Sequence, residues 1–188
     1  MDVSLCEILD EAGLRALLAV AVADATPEET MPPCEGPPGW TEAKQEFFLE
    51  FFRPVVASSG TQVYAVMAGD DIAGFMRLRR MPPDFAHGDD SDAHGEGAGG
   101  ENAGVATAET GMWLGRSYRG KGIGAAAFDA LLTEAGKRGY GRVVADTTPQ
   151  NVAALGVLRG GRARMREGDG KIYAEIAIGP GYAFDLEK

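Results

Sequence analysis

The sequence predicts an α/β (α+β) domain, and three observations carry that prediction. Stretches of two-residue alternation are interleaved with stretches of helical spacing, which disfavours an all-helical bundle or a sandwich. The chain has 188 residues, 45% of them apolar, enough for one domain over 1–188 with a continuous core. No internal repeat divides it.

VSLCEIL (3–9) alternates and reads as a first strand. DEAGLRALLAVAVAD (10–24) follows, with Asp10 as a cap and Leu14, Leu17, Leu18 and Val22 at helical spacing. Asp2, Glu7, Asp10 and Glu11 precede its apolar run, where a signal peptide would carry positive charge. The run is also too short to span a membrane, so it is expected to be a core helix. ATPEETMPPCEGPPGW (25–40) holds too many prolines to be helical throughout. TEAKQEFFLEFFRPVVA (41–57) opens on a Thr cap and carries Phe47, Phe48, Phe51 and Phe52 on a broad apolar stripe, most simply core.

TQVYAVMAGDDIAGFMRLRRM (61–81) reads as two strands joined at Gly69-Asp70-Asp71. Residues 82–105 are low-complexity, rich in Gly, Asp, Ala and Glu, and are expected to be a flexible acidic insertion. TAETGMWLG (107–115) is a strand, and a helix from Gly122 to about Arg138 places Ile123, Phe128, Leu131, Leu132 and Ala135 on one face. Gly139 suits its stop. YGRVVADT (140–147) is the next strand, NVAALGVLRGG (151–161) a short helix ended by paired glycines. ARMRE and KIYAEIAI close the chain as a hairpin around Gly168-Asp169-Gly170.

The net charge is −10, with 28 acidic residues against 18 basic ones. That disfavours a nucleic-acid partner, which needs a dense basic face, and suits a cationic or amine-bearing one or simple solubility. Cys6 and Cys34 are the only cysteines and lack metal or redox spacing, so two free thiols in a reducing cytoplasm are expected. No membrane association is expected, and no metal. DSDAHGEGAGGE (90–101) almost fits a calcium loop, with Asp90, Asp92, Gly95 and Glu101 in place. His94 stands for an oxygen ligand and Gly97 for the usual apolar residue, and no helix flanks it, so a solvated loop reads better.

RSYRGKGIGAAAF (116–128) is the most informative stretch. Glycines beside positive charge at a strand-to-helix junction suit an anion, because a helix start presents unpaired N–H groups and a positive dipole end. A P-loop is excluded, since Gly122 rather than Ser or Thr follows Lys121. Gly122-x-Gly124-x-x-Ala127, with Asp146 closing the next strand, fits a dinucleotide fingerprint. That fold, however, turns from its first strand straight into the first glycine, whereas RSYRGK intervenes here. A glycine-rich turn without a ligand stays open as well.

The same residues resemble the Gln/Arg-x-x-Gly-x-Gly/Ala signature of the GNAT superfamily of acyl-CoA-dependent N-acyltransferases. ETGMWLGRSYRGKGIG is similar to that family's fourth strand, loop and helix start, and Asn151-x-x-Ala154-Leu155 to its later pantetheine-facing segment. The order of elements from 3 to 178 agrees too. The resemblance implies a mixed, mostly antiparallel sheet flanked by helices, with acetyl-CoA as acyl donor. It implies that N–H groups of Arg119, Gly120, Lys121, Gly122, Ile123, Gly124 and Ala125 hold the pyrophosphate, with Arg119 and Lys121 supplying charge or shaping the loop. Ala125, Ala126 and Ala127 keep bulk low there. The main chain of Met112, Trp113 and Leu114 is implied to pair with pantetheine as an added strand would, and Asn151 to face the same arm.

Acyl transfer to an amine needs a base for the amine and a donor for the oxyanion. The resemblance implies Glu109 for the first and the Leu114 N–H for the second. It departs at Leu158, where many relatives carry a tyrosine that protonates the leaving thiolate, and at Gly160-Gly161-Arg162 in place of Gly-Phe. Tyr118 and Tyr173 are the substitutes on offer, and a coenzyme A thiol is acidic enough to leave with help from water. For the acceptor, Glu28, Glu29, Glu35 and Asp169 are candidates to attract a cationic amine, and Trp40 to form a wall. The acceptor is expected to be a cationic small molecule or a protein amine; a homodimer stays open. A catalytically idle acyl-CoA-binding sensor or partner module is the alternative.

Overall fold

The computed structural model describes residues 2–83 and 105–179. The near-calcium loop and most of the acidic insertion lie outside the described residues. Seven strands form a sheet of order β1-β2-β3-β4-β5-β7-β6: β1 Val3–Glu7, β2 Thr61–Ala68, β3 Asp71–Arg80, β4 Thr107–Leu114, β5 Arg142–Thr147, β6 Arg164–Gly168 and β7 Lys171–Ala177. The helices are α1 Glu11–Asp24, α2 Pro27–Thr30, α3 Glu42–Val56, α4 Ile123–Lys137 and α5 Val152–Gly160. β4 and β5 run parallel, while β1–β2, β5–β7 and β6–β7 are antiparallel. The expected mixed, mostly antiparallel sheet with flanking helices is the observed fold.

Contacts divide the chain into two compact units, Met1–Leu78 with Gly111–Ala127, and Arg79–Thr110 with Phe128–Lys188. In the first, Leu14, Leu17, Phe48 and Phe52 from α1 and α3 are buried with Val63, Phe75 and Trp113. Phe52 meets Phe75 edge-on at 5.2 Å between centroids, and Phe75 stacks on Trp113 at 6.3 Å. Burying a large apolar side chain contributes about 1.5–3 kcal/mol, so this aromatic file anchors the end of β4. α1 starts where the Asp10 carboxylate accepts the Gly13 N–H at 2.9 Å, and α3 where Thr41 accepts the Lys44 N–H. β1 stops at Glu7, short of the expected Leu9, because the chain bends into the Asp10 cap and leaves Leu9 exposed. The proline-rich stretch holds one helical turn, α2, with Pro27 at its start, where a missing N–H costs nothing.

In the second unit, Phe128, Leu131, Leu132 and Ala135 of α4, Leu155 and Leu158 of α5, and Val143, Val144, Ala174 and Ile176 of the strands are buried. Asp169 and Gly170 both have positive φ, 50° and 72°, which turns β6 into β7 where the hairpin is expected.

Candidate active site

The end of β4 is held against β3 on one side. The Gly115 N–H donates to the Ala73 carbonyl at 2.9 Å, and the Trp113 carbonyl lies against Gly74, where a Cβ would collide with it. Only glycine permits that approach. In a trans peptide, the carbonyl of one residue and the N–H of the next point in opposite directions. With the Trp113 carbonyl and the Gly115 N–H both facing β3, the Leu114 N–H and carbonyl must face away from it. The parallel ladder to β5 runs over Thr107, Ala108 and Glu109, and β4 continues past it to Leu114. The Leu114 carbonyl is taken by the Arg119 guanidinium, Nε at 2.9 Å and Nη2 at 2.8 Å. Its N–H lies beyond the last residue of the β5 ladder.

After β4 a 3₁₀ turn, Arg116–Tyr118, leads into the glycine loop. Gly120 and Gly122 have φ of 69° and 79°, in the left-handed region that other residues enter at a cost. The first bond into α4 is donated by Ala126, to the Gly122 carbonyl. The N–H groups of Gly120, Lys121, Gly122, Ile123, Gly124 and Ala125 stand ahead of that bond, where the helix has no carbonyl of its own to receive them. Donors left unpaired at the start of a fifteen-residue helix form a cradle for negative charge. Lys121, Ala125 and Ala126 are exposed, while Ile123 and Ala127 are buried and seat the helix.

Two carboxylates from the first helices hold this loop. Asp24, at the end of α1, accepts the Ser117 N–H at 2.9 Å and its hydroxyl at 3.1 Å. Its Oδ2 lies 2.5 Å from where a Gly115 Cβ would stand, so the approach requires that glycine. Glu29, in α2, accepts the Thr26 N–H at 2.8 Å and pairs with Arg119 at 2.8 Å and Arg116 at 3.1 Å. Burial pushes the Glu29 carboxyl up, but the Thr26 N–H, Arg119 and Arg116 outweigh it and hold it at about 2. Neither latch is legible in the sequence; the one available signal is the Thr-x-x-Glu box at 26–29, which marks a helix start. The acceptor-facing candidates change accordingly. Glu29 is spent on arginines, Glu28 lies 3.7 Å from the buried Lys44, and Trp40 donates its indole N–H to the Ala21 and Ala25 carbonyls. Trp40 caps α1 rather than standing as a free wall. Glu35 stays exposed.

In the second unit, Glu109 is mostly buried on β4, with Arg79 of β3 at 2.6 Å. Asn151 caps α5 by accepting the Ala154 N–H at 3.1 Å. Asp146, the acid of the dinucleotide pattern, binds Lys171 at 2.8 Å, and that pairing raises the lysine. Leu158 is buried. Tyr173 lies under the Arg166 guanidinium, 5.1 Å from it. The α5 helix does not end on glycine conformation: Gly161 has φ −72° and Arg162 takes the left-handed turn at 59°. Gly161 is needed instead because a Cβ would stand 2.6 Å from the Phe128 ring.

Among the described residues no helix is long and apolar enough to cross a membrane, and no group of acids, histidines or cysteines is set to hold a metal. The model of the acetyltransferase (GNAT) family matches residues 13–161. No curated protein matches the chain. Among solved structures, the ribosomal L7/L12 α-N-protein acetyltransferase RimL, in complex with coenzyme A, is 18% identical, with a TM-score of 0.64 over 94% of each chain. A probable GNAT-family acetyltransferase from Chromobacterium violaceum is 20% identical, with a TM-score of 0.64 over 95% of this chain and 88% of that one. The Campylobacter jejuni N-acetyltransferase PseH, in complex with acetyl coenzyme A, is 11% identical, with a TM-score of 0.61 over 95% and 100%. At these identities the likeness to the solved structures is one of fold.

Proposed function

The chain belongs to the GNAT acetyltransferase family, and from that premise we propose that it moves an acetyl group from acetyl-CoA to a primary amine by direct attack in a ternary complex. The observation that carries the proposal is the Leu114 N–H, turned away from β3 beside the run of helix-start N–H groups. Coenzyme A fits those donors: its pyrophosphate suits the helix-start cradle from Gly120 to Ala125, and its pantetheine amides suit the strand end at Met112 and Leu114. RimL with coenzyme A and PseH with acetyl coenzyme A support the same choice of donor. The Trp113 carbonyl faces β3, which leaves the neighbouring peptide groups for the pantetheine arm.

Acetyl-CoA supplies an acyl carbon activated as a thioester; the rest falls to this chain. The Leu114 N–H donates to the acyl oxygen and stabilises the charge that builds on it. Glu109 draws the proton of the amine through water, since its carboxylate is held by Arg79. Lys121 lends its charge to the phosphates, whereas Arg119 is engaged with Leu114 and Glu29 and shapes the loop. With Leu158 in place of a tyrosine, the thiolate takes its proton from water. The net charge of −10 favours a cationic acceptor, a small polyamine-like molecule or a protein amine.

The Arg79–Glu109 pair also favours a second reading, an acyl-CoA-binding module without turnover. Coenzyme A release from acetyl-CoA across a panel of primary amines separates the two. Amine-dependent release supports transfer, and tight binding without release for any amine supports the module.

A further inference from the structure

We infer that Glu29 is a positioning residue for acyl transfer: through Arg119 it holds the Leu114 carbonyl, and so fixes the residue whose N–H, one peptide plane earlier, meets the acyl oxygen. The inference rests on the proposed transfer reaction, and all of its parts lie within one compact unit. The chain of contacts is complete. Arg119 places Nε and Nη2 on the Leu114 carbonyl, at 2.9 and 2.8 Å, and Nη1 on the Glu29 carboxylate at 2.8 Å. A guanidinium is a rigid planar fork, so gripping it at both ends fixes the orientation of the carbonyl it holds. Glu29 is itself fixed, because its other oxygen accepts the Thr26 N–H at 2.8 Å and the Arg116 guanidinium at 3.1 Å. Below it, α2 is seated by the buried Pro27, Thr30 and Met31.

The charge balance agrees with a strut. Glu29 neutralises Arg119, so the guanidinium works on the backbone and leaves Lys121 as the loop's open cation. The exposed pair of Arg53 and Glu11 shows the contrast: it joins two helices and touches neither the loop nor β4. Glu29 instead ties the segment between the first two long helices to the strand end where the reaction takes place. An acid in that segment would otherwise be read as recognising the acceptor.

The test compares two ligands by calorimetry. Acetyl-CoA has an acyl oxygen for the Leu114 N–H and coenzyme A does not. A strut that fails therefore weakens the first ligand more than the second, whereas general damage weakens both alike. Glu29→Gln, which keeps shape and removes charge, is expected to weaken acetyl-CoA about threefold to tenfold more than coenzyme A, the worth of one misaimed hydrogen bond. Arg119→Lys, which keeps charge and removes the fork, is expected to do the same. Glu11→Gln is expected to leave both affinities within about twofold of wild type. Equal weakening of the two ligands by Glu29→Gln, no weakening at all, or wild-type behaviour of Arg119→Lys overturns the strut. If wild-type protein fails to bind acetyl-CoA, the transfer reading falls and takes the strut with it. If wild type binds and Glu29→Gln changes nothing, the strut alone falls.

Discussion

Glu109 is the base in the proposed reaction, and that role defines how its loss should look. Replacing it by Gln removes the acceptor but leaves an amine that is already neutral at high pH. We expect Glu109→Gln to lower kcat about a hundredfold near pH 7 and much less near pH 10. A loss of equal size at both pH values would remove Glu109 as the base. At this scale the sequence is readable where backbone conformation decides: the glycines at 120 and 122 mark the left-handed turn ahead of α4, because such a turn needs only the right residue type. It was unreadable where a side chain acts at a distance. Glu29 and Arg119 meet across ninety positions, so Glu29 looked like a loop acid awaiting a cationic acceptor. Trp40 misled in the same way, its indole N–H being consumed by carbonyls fifteen and nineteen positions earlier.

The loop and the helices answer to backbone conformation, and two glycines separate its effects. Gly122 sits at φ 79° with open space where a Cβ would go, so an alanine there meets strain and no clash. Gly156, inside α5, has the same open space without positive φ. Gly122→Ala should therefore cost about 1–2 kcal/mol in urea unfolding, while Gly156→Ala should gain about 0.5–1 kcal/mol. Gly122→Ala should also weaken acetyl-CoA binding, and a stabilised Gly122→Ala protein would contradict the left-handed loop. Most elements were legible because each local signal agrees with the fold: the Asp10 and Thr41 caps, the glycines of the loop and the Asp169-Gly170 turn. The helix α5 ends at its paired glycines as expected, but the left-handed residue there is Arg162, and Gly161 answers to the Phe128 ring thirty-three positions away, a contact that no local pattern announces.

For the whole molecule, acid stability follows from the same carboxylate that holds the loop. The folded chain keeps Glu29 at about 2, against an ordinary value near 4.5, so folding favours its ionised form. That contribution is present above about pH 4.5 and is lost as pH falls towards 2. Glu29→Gln should lower the unfolding free energy at neutral pH and flatten its decline across that window. A parallel decline in both proteins would contradict the depressed carboxyl. The fold class and the order of elements along the chain were legible as a whole because the family's order runs through the chain, and the family match covers 13–161. The acceptor was not, since Glu29 is held by Arg116 and Arg119, and Glu35 and Asp169 are exposed acids that specify no partner. The central claim concerns the glycine loop, and titrating acetyl-CoA into the purified chain by calorimetry, with NAD as the paired control, tests it most directly. Saturable binding of acetyl-CoA with no binding of NAD is the predicted result. Binding of NAD alone, or of neither ligand, would contradict the account.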